Sequence, residues 1–309
     1  MKLSMSIRIV LLIGAILLSS EASAQKKWPG TVLYSLQKNV ITGKFVIDPI
    51  VRIMKGEYSY PVPTPPEAFD GPNSEKILAN FFDRFCREEF GKGRKLELYI
   101  GGSKVGIATV TEPDTLNSCS PVISEAKLSY TDSNSMIFKD HGLVISSIKP
   151  QKPIPTFPLS DSIMIGIYEY GKKQFADSGV KKEIVEKMQI TEARATDLDG
   201  DGKPEYLVSY NITGEEVKTG EYEGNIEYSL TLVLRPSSKG FSSVFSYYPP
   251  PAVPEQARNF KFVDVLDLDG DGILEILIQQ RFYSSWDYIV LKRNGNTWEK
   301  EYEGSGGGC

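Results

Sequence analysis

The chain has 309 residues, 35 basic side chains against 40 acidic ones, a formal charge of −5 and 40% hydrophobic residues. These values exclude wholesale disorder, collagen and a multi-span membrane protein, and the lack of a basic excess argues against nucleic acid as the main partner. One histidine, His141, and three cysteines are too few for a zinc ribbon or a His-rich metal centre.

Lys2 and Arg8 are the only charges before Glu21, and they precede an apolar run from Ile9 to Leu18. That run reaches only about half the ~20 residues a helix needs to cross a bilayer, so a membrane anchor is the poorer reading. Ala22-Ser23-Ala24 places small residues at −3 and −1 of a cleavage site. Residues 1–24 are therefore predicted to be a signal peptide, with a soluble mature chain from Gln25 that is periplasmic or secreted, of bacterial type. An oxidising compartment permits disulfides. Cys86 and Cys119 are the internal candidates and are predicted to pair there, whereas Cys309 ends the chain behind a glycine-rich segment, Gly304 to Gly308, read as flexible.

Thirteen of the 19 prolines fall in three clusters, 61–72, 150–158 and 249–254. Proline fixes φ and cannot donate to a sheet, so these clusters mark connections. The middle one bounds a domain at 25–150. This first part reads as β-rich. Strands are predicted at Lys44–Met54, Leu96–Ile100, Val105–Thr111, Ile123–Tyr130, Ser135–Lys139 and Gly142–Ile148. Gly101-Gly102-Ser103 gives a hairpin signal between the second and third. One helix is predicted from Ser74 as its cap, with Ile77, Leu78, Phe81, Phe82 and Phe85 at helical spacing as a packing stripe. Residues 151–190 read as a Pro-rich linker leading into helices at Asp161–Ala176 and Lys181–Met188.

From residue 191 to the end the chain repeats. The first copy predicts a strand leading to an Asp-rich turn, then Glu205–Asn211, Ile226–Arg235 and Phe241–Tyr247. The second predicts the same order with Glu275–Phe282, Trp286–Arg293 and Thr297–Tyr302. The turns start 70 residues apart, and Leu232-Val233-Leu234 aligns with Ile289-Val290-Leu291, each succeeded by an aromatic, Phe241 or Trp298. The fold class is thus mainly β (α+β), ending in a pair of four-stranded antiparallel units.

The turns are Asp197-Leu198-Asp199-Gly200-Asp201-Gly202-Lys203-Pro204-Glu205 and Asp267-Leu268-Asp269-Gly270-Asp271-Gly272-Ile273-Leu274-Glu275, identical over their first six residues. Carboxylates at positions 1, 3 and 5 turn inward when the chain curls, and the glycines permit the positive φ a curl needs. A carbonyl at position 7 and a carboxylate at 9 complete an oxygen cage suited to Ca²⁺. Position 12 is Val208 or Ile278 within a β pattern, which rejects an EF-hand. The alternative is an Asp-Gly turn that binds nothing.

The loops resemble the Asp-x-Asp-x-Asp-Gly-x-x-Asp loop of integrin-like FG-GAP and VCBS repeats, in which the loop joins two strands of a propeller blade and binds calcium. The resemblance covers about Thr191 to Tyr302. It implies two Ca²⁺ sites, one from Asp197, Asp199, Asp201, Glu205 and the Lys203 carbonyl, the other from Asp267, Asp269, Asp271, Glu275 and the Ile273 carbonyl. Position 9 is Glu here, not the usual Asp. Two copies fall short of the 4–8 blades of a closed propeller, so two packed sheets or a partial propeller are expected.

No nucleophile–base pair stands out. Asp140-His141 lacks a Gly-x-Ser-x-Gly elbow, and His141 beside Gly142 reads as a turn residue. The function expected is a binding or interaction module with an unknown protein or carbohydrate partner. The alternative is a secreted hydrolase with its site in the N-terminal part, because paired carboxylates could stand anywhere among 40 acids. Tyr247, Tyr248, Tyr283 and Trp286 would either form a sugar or peptide platform or pack between strands.

Overall fold

The computed structural model describes residues 28–39, 42–65, 73–114, 123–131, 141–146, 148, 154–155, 157–219, 222–252, 259–282 and 284–308. The expected signal peptide, the expected strand at 135–139 and Cys119 lie outside them. The chain is mainly β, with antiparallel sheets. Thr31–Cys309 form one compact unit.

The first part contains β1 (Thr31–Lys38), β2 (Phe45–Met54), β3 (Glu57–Ser59), helix α1 (Ser74–Glu89), β4 (Lys95–Ile100), β5 (Ser103–Asp114), β6 (Ile123–Tyr130) and β7 (His141–Ile145). They form one sheet in the order β1-β7-β4-β5-β6-β2-β3, and β1 also pairs with β2. The ladder therefore closes on itself as a six-stranded antiparallel barrel with β3 beside it, a closure that removes sheet edges. Local pattern does not reveal this ring, because pairings such as Leu33↔Val51 and Val46↔Glu125 join distant segments. α1 starts at Ser74, but its N-cap position is Asn73 and no side chain caps it, which corrects the expected Ser74 cap. The helix end is fixed to the barrel by rings and charges. Phe90 lies 5.6 Å from Tyr34 and 5.5 Å from Phe85. Buried Glu89 accepts from the Tyr34 hydroxyl at 3.2 Å and pairs with Arg94 at 2.7 Å.

After α2 (Asp161–Asp177), capped by the Ser160 hydroxyl, and α3 (Lys182–Val185), the chain enters the two copies. The first sheet holds β8 (Gln189–Thr196), β9 (Glu205–Thr219), β10 (Tyr222–Ser237) and β11 (Gly240–Tyr247). The second holds β12 (Asn259–Leu266), β13 (Glu275–Arg281), β14 (Ser285–Asn294) and β15 (Thr297–Gly308). Both are simple meanders, as expected. Their registers coincide: Leu207↔Val233 and Tyr206↔Leu234 match Leu277↔Val290 and Ile276↔Leu291, and Pro236↔Phe241 matches Arg293↔Trp298.

The elements pack as successive layers: helices, first sheet, second sheet, barrel. Ile167 and Phe175 of α2 meet Tyr206, Val208, Leu232 and Leu234 on one face of the first sheet. Its other face, with Leu207 and Val233, meets Phe262, Ile276, Ile278, Leu291 and Trp298 of the second. The far face of the second sheet, with Leu277, Tyr288 and Val290, meets Leu33, Val51, Ile53, Leu143 and Ile145 of the barrel. A polar knot ties that last contact. Asp48 Oδ2 accepts from Trp286 Nε1 at 2.8 Å and from the Tyr288 hydroxyl at 2.9 Å, and Ser35 Oγ lies 2.7 Å from the same hydroxyl.

One further expectation is corrected. Gly304 to Gly308 is not a loose tail but the end of β15, paired with Ser285 to Tyr288. The backbones approach so closely that a Cβ on Gly306 would stand 2.0 Å from the Trp286 carbonyl oxygen, so the glycines there serve pairing. The aromatics are packing residues: Tyr247 lies 4.3 Å from the Phe260 ring, Tyr248 5.7 Å from Phe175, and Trp286 is tied to Asp48; Tyr283 lies outside the described residues. Cys86 is a free, buried thiol in α1, and burial pushes its pKa up to about 11.

Trp298 is fully buried between the sheets and donates to the Leu274 carbonyl. Trp298→Ala should cost about 3–5 kcal/mol through lost contacts and a cavity, read as a lower urea midpoint at unchanged slope. Burial raises Asp48 from 3.8 to about 6, and Asp264 likewise. A raised carboxylate binds its proton more tightly in the folded state than in the unfolded one. Each therefore adds stability at low pH, and that contribution is lost as pH rises from about 4 through 6, by roughly 3 kcal/mol at most per group. Asp48→Asn, which keeps an acceptor oxygen for Trp286 and Tyr288, should flatten the unfolding free energy between pH 4 and 7; an unchanged slope would refute this origin.

Candidate metal centres

Each Asp-rich turn links the first two strands of its sheet, β8 to β9 and β12 to β13. Its curl follows from the glycines: Gly200 and Gly202 have φ of 74° and 83°, Gly270 and Gly272 of 80° and 90°. The leucine at position 2 anchors each turn, since Leu198 and Leu268 are buried in the cores on either side of the second sheet.

The carboxylates organise the backbone in the same way in both turns. Asp197 Oδ1 accepts from Gly200 N at 2.8 Å and its Oδ2 from Gly202 N at 2.9 Å; Asp267 does the same to Gly270 and Gly272 at 2.6 and 3.0 Å. Asp199 and Asp269 accept from the N–H two residues on. Asp201 and Asp271 accept from Lys203 N and Ile273 N, both at 2.8 Å. Buried Glu205 and Glu275 reach back to Leu198 N at 2.9 Å and Leu268 N at 2.7 Å. The ten residues singled out in the sequence thus lie in two turns with one hydrogen-bond scheme, although the tightest carboxylate group differs between them. Carboxylate oxygens within 4.8 Å of one another come from Asp197, Asp199 and Glu205 in the first, and from Asp267, Asp269 and Asp271 in the second. Asp201 and Glu275 stand outside these tightest groups.

Three basic residues missed from the sequence close the sites. Arg235 gives Nη2 to Asp199 Oδ2 at 2.6 Å and Nε to Glu205 Oε1 at 3.0 Å. Lys292, at the matching place on β14, gives Nζ to Asp269 Oδ2 at 2.5 Å. Arg293 of the second copy crosses to Asp199 of the first at 3.1 Å. The signal was present: Arg235 and Lys292 come directly after the aligned triplets Leu232-Val233-Leu234 and Ile289-Val290-Leu291. The turns also touch, with Leu274 N donating to the Leu198 carbonyl at 2.9 Å.

The electrostatics differ between the copies. Burial, reinforced by Asp199, raises Glu205, while Leu198 N–H and Arg235 pull it down. Burial, reinforced by Asp269 and Asp271, drives Glu275 to about 8 despite Leu268 N–H and Lys292. Glu205 has Arg235 as a bonded charged partner, whereas in the second turn Lys292 bonds Asp269 and not Glu275. The second turn also borders a small recess of about 210 Å³ shared with Ile53, Lys55 and Ile148.

No protein-family model, curated protein or solved structure matches the chain.

Arg235→Met leaves Glu205 buried without its charged partner and should cost about 3 kcal/mol in calcium-free buffer. Lys292→Met removes a more exposed cation that holds only Asp269, and should cost less. Chemical unfolding of both variants checks the order, and equal losses would argue against it.

Proposed function

We propose that the protein is an exported binding or interaction module, periplasmic or secreted, whose two Asp-rich loops each take a calcium ion. The ion stabilises the paired sheets and performs no chemistry. The observation that carries this reading is the repetition: two loops share one hydrogen-bond scheme and each converges three carboxylate oxygens within 4.8 Å. An all-oxygen, multi-carboxylate donor set suits a hard cation with six to eight ligands. Asp197, Asp199, Asp201, Glu205 and the Lys203 carbonyl would hold one ion; Asp267, Asp269, Asp271, Glu275 and the Ile273 carbonyl would hold the other. This assignment rests on the resemblance to FG-GAP and VCBS loops.

Arg235 and Lys292 fit the same reading as partial stand-ins. Both bond Oδ2 of the position-3 carboxylate, and Arg235 also bonds Glu205 Oε1, so calcium would take over these oxygens from them. No helix among the described residues is long and apolar enough to cross a membrane. Surface partners are proposed to be protein or carbohydrate.

Melting of the mature chain tests the proposal. At an affinity of about 10⁻⁴–10⁻³ M and a tenfold excess of calcium, each site adds about 1.4 kcal/mol, so the melting temperature should rise by a few degrees and return with chelator. Asp199→Ala and Asp269→Ala should each remove part of the rise, and the double variant most of it. Mg²⁺ should substitute poorly. A melting curve indifferent to millimolar calcium would reduce the loops to turns.

A further inference from the structure

At the end of the strands away from the Asp-rich turns, the two sheets part. A cleft of about 490 Å³ opens between the edge strands β8 and β12, bordered by β7 of the barrel. Its size lies within the range of small-molecule sites. We propose that this cleft binds a small oxyanion that also carries hydroxyl groups, a sugar acid or a sugar phosphate. The proposal is independent of the calcium reading.

The lining decides the ligand class. Arg281 gives Nε to Gln279 Oε1 at 2.7 Å and makes no ion pair among the described residues. Lys261 shares its sheet face, because Asn259↔Arg281 and Lys261↔Gln279 are register pairs two residues apart on each strand. The one carboxylate in the lining, Glu192, pairs with Arg194 at 2.6 Å, and Arg194 also lies 3.6 Å from buried Asp264. Arg281 is thus the guanidinium that the cleft offers to an anion, and a guanidinium recognises carboxylate or phosphate through parallel N–H bonds.

The second requirement is a donor on the ligand. Asn211 gives Nδ2 to Glu227 Oε2 at 3.0 Å, while its Oδ1 is buried with no partner among the described residues. A buried acceptor left unpaired is costly, and a ligand hydroxyl satisfies it. Arg194 Nη2 lies 2.5 Å from His141 Nε2. A guanidinium only donates, so Nε2 accepts and the ring proton sits on Nδ1. The histidine read from sequence as a turn residue thus opens β7 and lines this cleft. Phe260 supplies an apolar wall against which a sugar ring can lie.

The test titrates the mature chain by calorimetry with gluconate, glucose 6-phosphate, glucose and inorganic phosphate. Gluconate, glucose 6-phosphate or both should bind at least about tenfold more tightly than glucose and phosphate, since charge and hydroxyl contacts are both required. The probe that binds tells carboxylate from phosphate. Arg281 is exposed, so Arg281→Ala should leave the melting curve unchanged and weaken the bound probe about tenfold or more. Asn211→Ala should weaken it as well. The Asp199→Ala/Asp269→Ala double variant should bind the probe like the wild type, which separates this site from the loops. Glucose or phosphate binding as tightly as gluconate and glucose 6-phosphate, an unchanged affinity in Arg281→Ala, or no binding of any probe at millimolar concentration would each overturn the proposal.

Discussion

A four-stranded sheet that is apolar on both faces has to be covered twice, and the architecture follows from that constraint. Strand β9 shows it residue by residue: Tyr206 and Val208 belong to one core and Leu207 to the next. The second copy repeats the alternation one layer further on, with Ile276 and Ile278 in the core where Leu207 sits, and Leu277 in the adjoining one. The two copies cover one face of each other, so both outer faces need other covers. The amphipathic α2 and α3 cover the first sheet, and the barrel covers the second. The hydrophobic effect is non-directional, so a helix pair and a barrel wall serve where further sheets would in a longer array. The helices and the barrel are in this sense what lets two copies stand without a third.

The Asp-rich turns sit at the end of that stack where successive layers meet. Their leucines plug the cores and their carboxylates point back into their own turns. Concentrated negative charge at such a junction requires compensation from nearby. The protein places Arg235 and Lys292 on the third strand of each sheet, and Arg293 reaches from one copy to the other. Together with the bond from Leu274 N to the Leu198 carbonyl, this links the two turns directly. A change in one turn's charge is therefore felt by the other through short polar contacts.

Much of this was legible in the sequence where local chemistry decides structure. The glycine pair at 101–102 marked the β4–β5 hairpin, strand β6 runs from Ile123 to Tyr130 as read, and the repeated turns fixed the start of β9 and β13. What stayed hidden depends on distant partners. The barrel closes through β1–β2 and β2–β6 contacts that leave no periodic trace. The run Gly304 to Gly308 reads as flexible by composition, yet strand β14 needs a partner whose backbone can come very close, and only residues lacking Cβ allow it. The cations of the candidate metal centres were findable, but only by extending the alignment of the copies one residue past their apolar triplets.

The matched registers also carry a record of length. Leu207 and Leu277 are 70 residues apart, while their partners Val233 and Val290 are 57 apart, a difference of 13. All of it lies beyond the pairs Asn211↔Ser229 and Arg281↔Trp286, where β9 and β10 continue as a projecting ribbon and β13 and β14 turn at once. That hairpin is the port through which one copy has grown while its twin has not; beyond Ile212 and Tyr228, which still pack in the helix-side core, it offers the natural place to graft a tag or a foreign recognition loop.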